Sequence, residues 1–232
     1  MKRLIRVKWS RLKSDLTLAE IASHIRNKMY SEVAGYGYSN FKNNNNTISA
    51  TYTEEKVNLQ TSVDPLGNES EQEFVSYESI EFSISKLTKR LYLLSVYNPP
   101  KSIRALTERL CIDSDYKVGF SSIDIRLAEY IKMLGERYKM NLINIKKAKI
   151  SSLVINENAN ASIEITSKKN ALEDIKTIVN EKAYILDKIK ASGHLLDSTY
   201  EFEISKSGAL CTSEVVVDYF TETIIVHILE RE

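Results

Sequence analysis

Residues 73–100 read EFVSYESIEFSISKLTKRLYLLSVYNPP, and this stretch decides the fold class. Apolar and polar residues alternate along 73–85, the period of a half-buried strand. The apolar face changes sides, from Val75 and Tyr77 to Ile80, Phe82 and Ile84, which predicts a β-bulge near Glu78 and Ser79. Residues 91–97 are apolar on both faces, as in a central strand with helices against it. Pro99-Pro100 then ends the block, because proline cannot continue a sheet ladder. Together with residues 47–61, a polar strand or hairpin arm, and the turn signal Asp64-Pro65-Leu66-Gly67-Asn68, this makes three successive β segments with short connections. Such a series is an antiparallel meander, not a set of βαβ units.

Working outward, Ile5, Val7 and Trp9 alternate with Arg6, Lys8 and Ser10, a strand with one basic face. Thr17 and Glu20 form a capping box, with Leu16 and Ile21 at the staple positions. The stripe Leu18, Ile21, Ala22, Ile25 and Met29 predicts a helix ending between Glu32 and Gly35. Gly35-Tyr36-Gly37-Tyr38 and Asn43 to Asn46 read as loop and turn. Beyond the prolines, Ser102 can cap one helix and Ser121 or Ser122 a second, which carries Ile123, Leu127, Tyr130 and Leu134. Strands follow near 141–155 and 162–166, then a helix over 171–179. Residues 182–191 read equally as helix or strand. Tyr200, Phe202 and Ile204 mark a half-exposed strand, and 215–220 and 223–229 read as two more. The expected fold is α+β: mostly antiparallel sheet with three or four helices packed on it. Pro99 to Lys101 is the candidate boundary between a subdomain at 1–100 and one at 101–232, the alternative being one shared core.

Composition excludes more than it identifies. Seven glycines, three histidines and two cysteines in 232 residues leave little for phosphate loops, zinc sites or catalytic triads. No cofactor, metal site or catalytic residue is expected. Cys111 and Cys211 make no disulfide framework and fit a reducing compartment. Arg6, Lys8, Arg11 and Lys13 interrupt any signal-peptide core, and no apolar run reaches membrane-spanning length, so a cytoplasmic location without membrane contact is expected. The abundance of Ile, Lys, Asn and Tyr matches an AT-rich coding sequence, which suggests a bacterial or phage setting, with antiviral defence as a background.

Charge is segregated although the net is +1. Residues 1–13 hold six basic side chains and no acid, and 137–156 hold Arg137, Lys139, Lys146, Lys147 and Lys149 with no acid. Residues 54–81 carry eight acids against Lys56 alone. If Arg6 and Lys8 share a face with the second basic segment, they make a candidate phosphate-binding surface. The bland alternative is mutual neutralisation across the sheet. Asp197, Glu201, Glu203 and Lys206 are the nearest approach to a metal-dependent hydrolase, although Glu201 and Glu203 read as a solvated strand face. Tyr36, Tyr38 and Phe41, in an Asn- and Ser-rich segment, are the candidate protein interface, unless their rings fold back on the sheet edge. The leading expectation is a non-catalytic binding or scaffold subunit of a larger assembly, with a protein partner or a second copy. A nucleic-acid-associated factor is the alternative, and a cryptic metal-dependent hydrolase or nuclease the third.

Overall fold

A computed structural model describes residues 3–179 and 183–231; Lys2, Lys182 and Glu232, which enter the tallies and ranges above, lie outside the described residues. The chain divides into two units, Leu12–Phe120 and Met1–Arg11 with Ser121–Glu232. The division falls at 120/121, some twenty residues beyond Pro99-Pro100, and the first strand, β1 (Leu4–Ser14), contributes to both units. Both units join antiparallel sheet to helices, and the described residues form eleven strands and five α-helices, so the α+β class holds with the sheet dominant.

In the Leu12–Phe120 unit, α1 (Leu18–Arg26) starts at the capping box. The Thr17 hydroxyl accepts from the Glu20 amide, and the Glu20 carboxylate accepts from the Thr17 amide at 2.7 Å. Those bonds from Thr17 hold the Glu20 carboxyl below its ordinary range. The helix stops at Arg26, not near Glu32. The chain leaves it to run beside the next strand: the Tyr30 amide donates to Tyr38 O and the Tyr38 amide to Lys28 O. Residues read as loop therefore form β2 (Tyr36–Asn44), which pairs with β3 (Thr47–Val63). β4 (Glu69–Lys86) and β5 (Leu91–Tyr97) complete the meander, in the order β2-β3-β4-β5, with the end of β1 beside β5. Helix α2 (Arg104–Asp113) packs its Leu106 and Leu110 into the same core as Ile21, Tyr52, Phe82 and Leu94. Ser121 and Ser122, read as helix caps, instead end strand β6 (Val118–Ser122).

The predicted bulge is absent. β3 and β4 stay in unbroken register from Thr47↔Ser85 to Val63↔Glu69. The apolar face changes sides for a different reason: Ile80, Phe82 and Ile84 are in the core, whereas Val75 and Tyr77 lie beyond it and are exposed. β2 accompanies β3 only as far as Glu54, and β5 accompanies β4 only as far as Glu81. The remainder is a two-stranded ribbon, on the order of 25 Å long at the usual rise per residue.

In the other unit, α3 (Leu127–Glu136) precedes β7 (Asn141–Asn156) and β8 (Ala159–Thr166). Then come α4 (Ala171–Val179), β9 (Ile185–Leu195), β10 (Ser198–Ser205), β11 (Ala209–Ser213) and α5 (Val217–Leu229). The sheet order is β1-β11-β10-β9-β7-β8. Of 182–191, Ile185 onward is strand. The two strands predicted at 215–220 and 223–229 are instead a 3-10 turn (Glu214–Val216) leading into α5, whose buried Val217, Phe220, Ile224 and Ile228 recur at helical spacing. Its Phe220 ring meets Phe202 at 4.9 Å between centroids. Tyr130, fully buried on α3, shares a hydrogen bond with the Thr223 hydroxyl at 2.7 Å.

Candidate functional site

Two surfaces stand out, one on each unit. On the β3–β4 ribbon, directly opposed residues share a face. Val57 opposes Val75, Glu55 opposes Tyr77, Leu59 opposes Glu73 and Val63 opposes Glu69. This puts Val57, Leu59, Val63, Val75 and Tyr77 on one face, and all five are between 48% and 69% exposed. Glu55, Glu69, Glu71 and Glu73 interleave with them. The other face carries amides and hydroxyls around one exposed ring, Phe74: Asn58 donates to Ser76 at 2.8 Å and the hydroxyls of Ser62 and Ser70 share a bond at 2.7 Å. The turn is held by Asp64, whose carboxylate accepts from the amides of Leu66 and Asn68 and from the Asn68 side chain. A turn that well bonded fixes the register of the ribbon, which has no packed core of its own. An exposed apolar row on an ordered ribbon has no folding rationale, and such patches mark interaction sites.

The predicted tyrosine interface divides. Tyr38 is fully buried, and its hydroxyl donates to the buried Asp113 carboxylate at 2.9 Å. That burial and the adjacent carboxylate push the Tyr38 phenol well above its ordinary range. Tyr36 and Phe41 are half-buried against the core. The Arg109 guanidinium lies 3.8 Å from the Tyr36 ring centroid and Arg26 lies 4.7 Å from that of Phe41. These rings fold back on the sheet edge, each under an arginine.

The second surface is the polar face of the β1-β11-β10-β9-β7-β8 sheet, opposite Trp9, Ile145, Ile189 and Phe202. Register runs Arg6↔Cys211↔Glu203↔Lys190↔Lys147, and one step along the strands Lys188 opposes Lys149. The two basic segments therefore do meet on one face. A bulge between Ile145 and Lys147 explains how. It inserts one residue, so that both Lys146 and Lys147 point to the polar side while Ile145 and Ala148 stay in the core. Lys146 pairs with Glu201 at 2.6 Å, Lys147 with Glu164 at 3.3 Å and Lys188 with Glu203 at 2.6 Å. Cross-sheet neutralisation is thus real, and the Lys146 bond and charge hold the Glu201 carboxyl below its usual range. Lys8 donates to Ser207 O at 2.6 Å, and burial lowers its ammonium pKa. Lys147, Lys149, Lys188 and Lys190 line a shallow groove of about 170 Å³ with Glu164 and Glu203. Arg137 is elsewhere, ion-paired with Glu230 at the C-terminal cap of α5, and Lys139 sits in the α3–β7 connection at a positive φ of 58°. Sequence reasoning missed Lys188 and Lys190, although the alternation Lys188-Ile189-Lys190-Ala191 carried the strand signal.

The candidate hydrolase residues do not converge. Glu201 and Glu203 each meet lysines, and Lys206 lies 3.5 Å from Asp124. Among the described residues no group of three His, Cys, Asp or Glu could hold a metal ion. His194 shares a hydrogen bond with Thr199, and His227 is buried on α5 beside Tyr130. Burial raises the Cys111 thiol pKa, and its Sγ donates to Val118 O. No helix of the described residues is long and apolar enough to cross a membrane. No protein-family model matches the chain, and no curated protein matches it.

Proposed function

We propose that the protein is a non-catalytic binding or scaffold subunit that docks a protein partner on its β3–β4 ribbon. The observation that carries this reading is the row Val57, Leu59, Val63, Val75 and Tyr77, exposed on a ribbon that outruns its neighbouring strands. Four glutamates share that face, so the partner is a protein with an apolar strip bordered by Lys or Arg. Apolar contact supplies affinity, and the charged border supplies orientation and encounter rate. A regular, turn-locked ribbon loses little conformational freedom on binding, which favours affinity.

The test is site-specific photo-crosslinking in extract of the native host. Probes at Leu59 and Val75 are expected to give one discrete adduct, which weakens when Glu69, Glu71 and Glu73 are changed to Gln and whose partner peptide is rich in Lys or Arg. Probes at Gln60 and Gln72, on the opposite face, are expected to give none. Equal adducts from both faces, or none from Leu59 and Val75, would refute the reading.

A further inference from the structure

We infer that the polar face of the β1-β11-β10-β9-β7-β8 sheet is a binding surface for double-stranded nucleic acid, gripping its phosphate backbone without reading sequence. This is a separate surface from the ribbon and takes a different class of partner. Its first support is charge. Among the described residues the face brings together seven cations, Arg6, Lys8, Lys146, Lys147, Lys149, Lys188 and Lys190, and three carboxylates, Glu164, Glu201 and Glu203. The excess is local, on a protein whose net charge is only +1.

The second support is register. Lys147 stands directly opposite Lys190, and Lys149 directly opposite Lys188. Like charges directly across a sheet destabilise it, and here two such pairs are consecutive. Glu164 and Glu203 on the flanking strands offset part of this repulsion, and a polyanion over the groove would offset the rest. Strand spacing of about 4.8 Å and an i,i+2 repeat of about 6.8 Å set the backbone positions of these four lysines in a rectangle beneath the groove. The three glutamates do not close it. Each pairs with lysine near the surface, where an ion pair is worth at most about 1 kcal/mol and exchanges readily for phosphate. Among the described residues Lys149 forms no ion pair, and Lys190 reaches Glu201 only at 4.0 Å, behind Lys146.

The third support is what the face lacks. Single-stranded nucleic acid is held by stacking bases on aromatic rings, but no Phe, Tyr or Trp stands on this face among the described residues. The aromatic Phe202 points to the core side. The surface therefore suits a ligand whose bases are already stacked inside and whose phosphates are outside.

The test is fluorescence anisotropy of the full chain with a short DNA duplex, the matching RNA duplex and the single strand, across a salt series. Either duplex is expected to bind more tightly than the single strand, without sequence preference. The expected log–log salt slope is about −3, the signature of roughly three to four phosphate contacts. Lys149→Gln should reduce that slope by about 1. Changing Lys147, Lys149, Lys188 and Lys190 together to Gln should abolish binding while leaving the thermal midpoint close to that of the unaltered chain, because two like-charge pairs and the weak, exposed ion pairs to Glu164, Glu203 and Glu201 are lost together. That stability readout separates lost binding from lost fold. Lys132→Gln on α3 is the control and should bind as the unaltered chain does. Absence of duplex binding, preference for the single strand, or unaltered binding by the fourfold variant would each overturn the inference.

Discussion

A Cβ placed on Gly37 would lie 2.4 Å from both the backbone nitrogen and the Cα of Tyr30. No side-chain motion relieves a clash with backbone. Gly37 is therefore what lets residues 28–30 lie against β2. Gly37→Ala should lower the unfolding free energy by about 3 kcal/mol, the upper range for overpacking, as measured by urea denaturation. Gly119→Ala, at a position with open space around it, should stay within about 0.5 kcal/mol. A Gly37→Ala chain as stable as the original would contradict the close approach. In sequence, glycines spaced by tyrosine read as a loop, because a glycine that permits close backbone contact looks the same as one that permits a turn. Tyr38 shows the same limit. Its residue type pointed to an interface, while the partner that keeps it in the core, Asp113, lies 75 positions away.

Elements with a clean period were legible, and those with an interrupted one were not. The capping box located α1, and strict alternation located β1 and β10. β7 hid its faces, because its buried residues Ile145, Ala148, Ile150 and Leu153 are spaced three, two and three apart by bulges. α5 was mistaken for strands because its β-branched residues outweighed the spacing of Val217, Phe220, Ile224 and Ile228. The ribbon shows the opposite error. Its change of apolar face was visible, but a bulge and a projection beyond the core leave the same trace in sequence. Because the ribbon contributes nothing to the core beyond Thr53, it can be removed. Replacing 57–75 by Asn-Gly, between the opposed Lys56 and Ser76, makes a short hairpin with a favoured turn. Its unfolding free energy should remain within about 1 kcal/mol of the full chain, since no buried apolar group is lost. A larger drop would mean that the ribbon is part of the fold and not an appendage to it.

For the molecule as a whole, net charge conceals the organisation that function uses. The acid-rich segment is the ribbon of one unit, and the basic segments share a sheet face of the other. Segregation was legible in sequence. That β1 and β7 present their cations to the same side was not, because it depends on a sheet order that no local pattern encodes. Nor was the separation of Arg137 and Lys139 from that face.

The central claim, that the protein works by docking a partner on the ribbon, is tested most directly by native size. The full chain in extract of its own host should elute well above the 26.5 kDa of the chain. The folded chain lacking 57–75 should elute at its own mass, and adding back the purified partner should shift only the full chain. Elution of both chains at the same large size, or of the full chain alone at its own mass, would contradict the account.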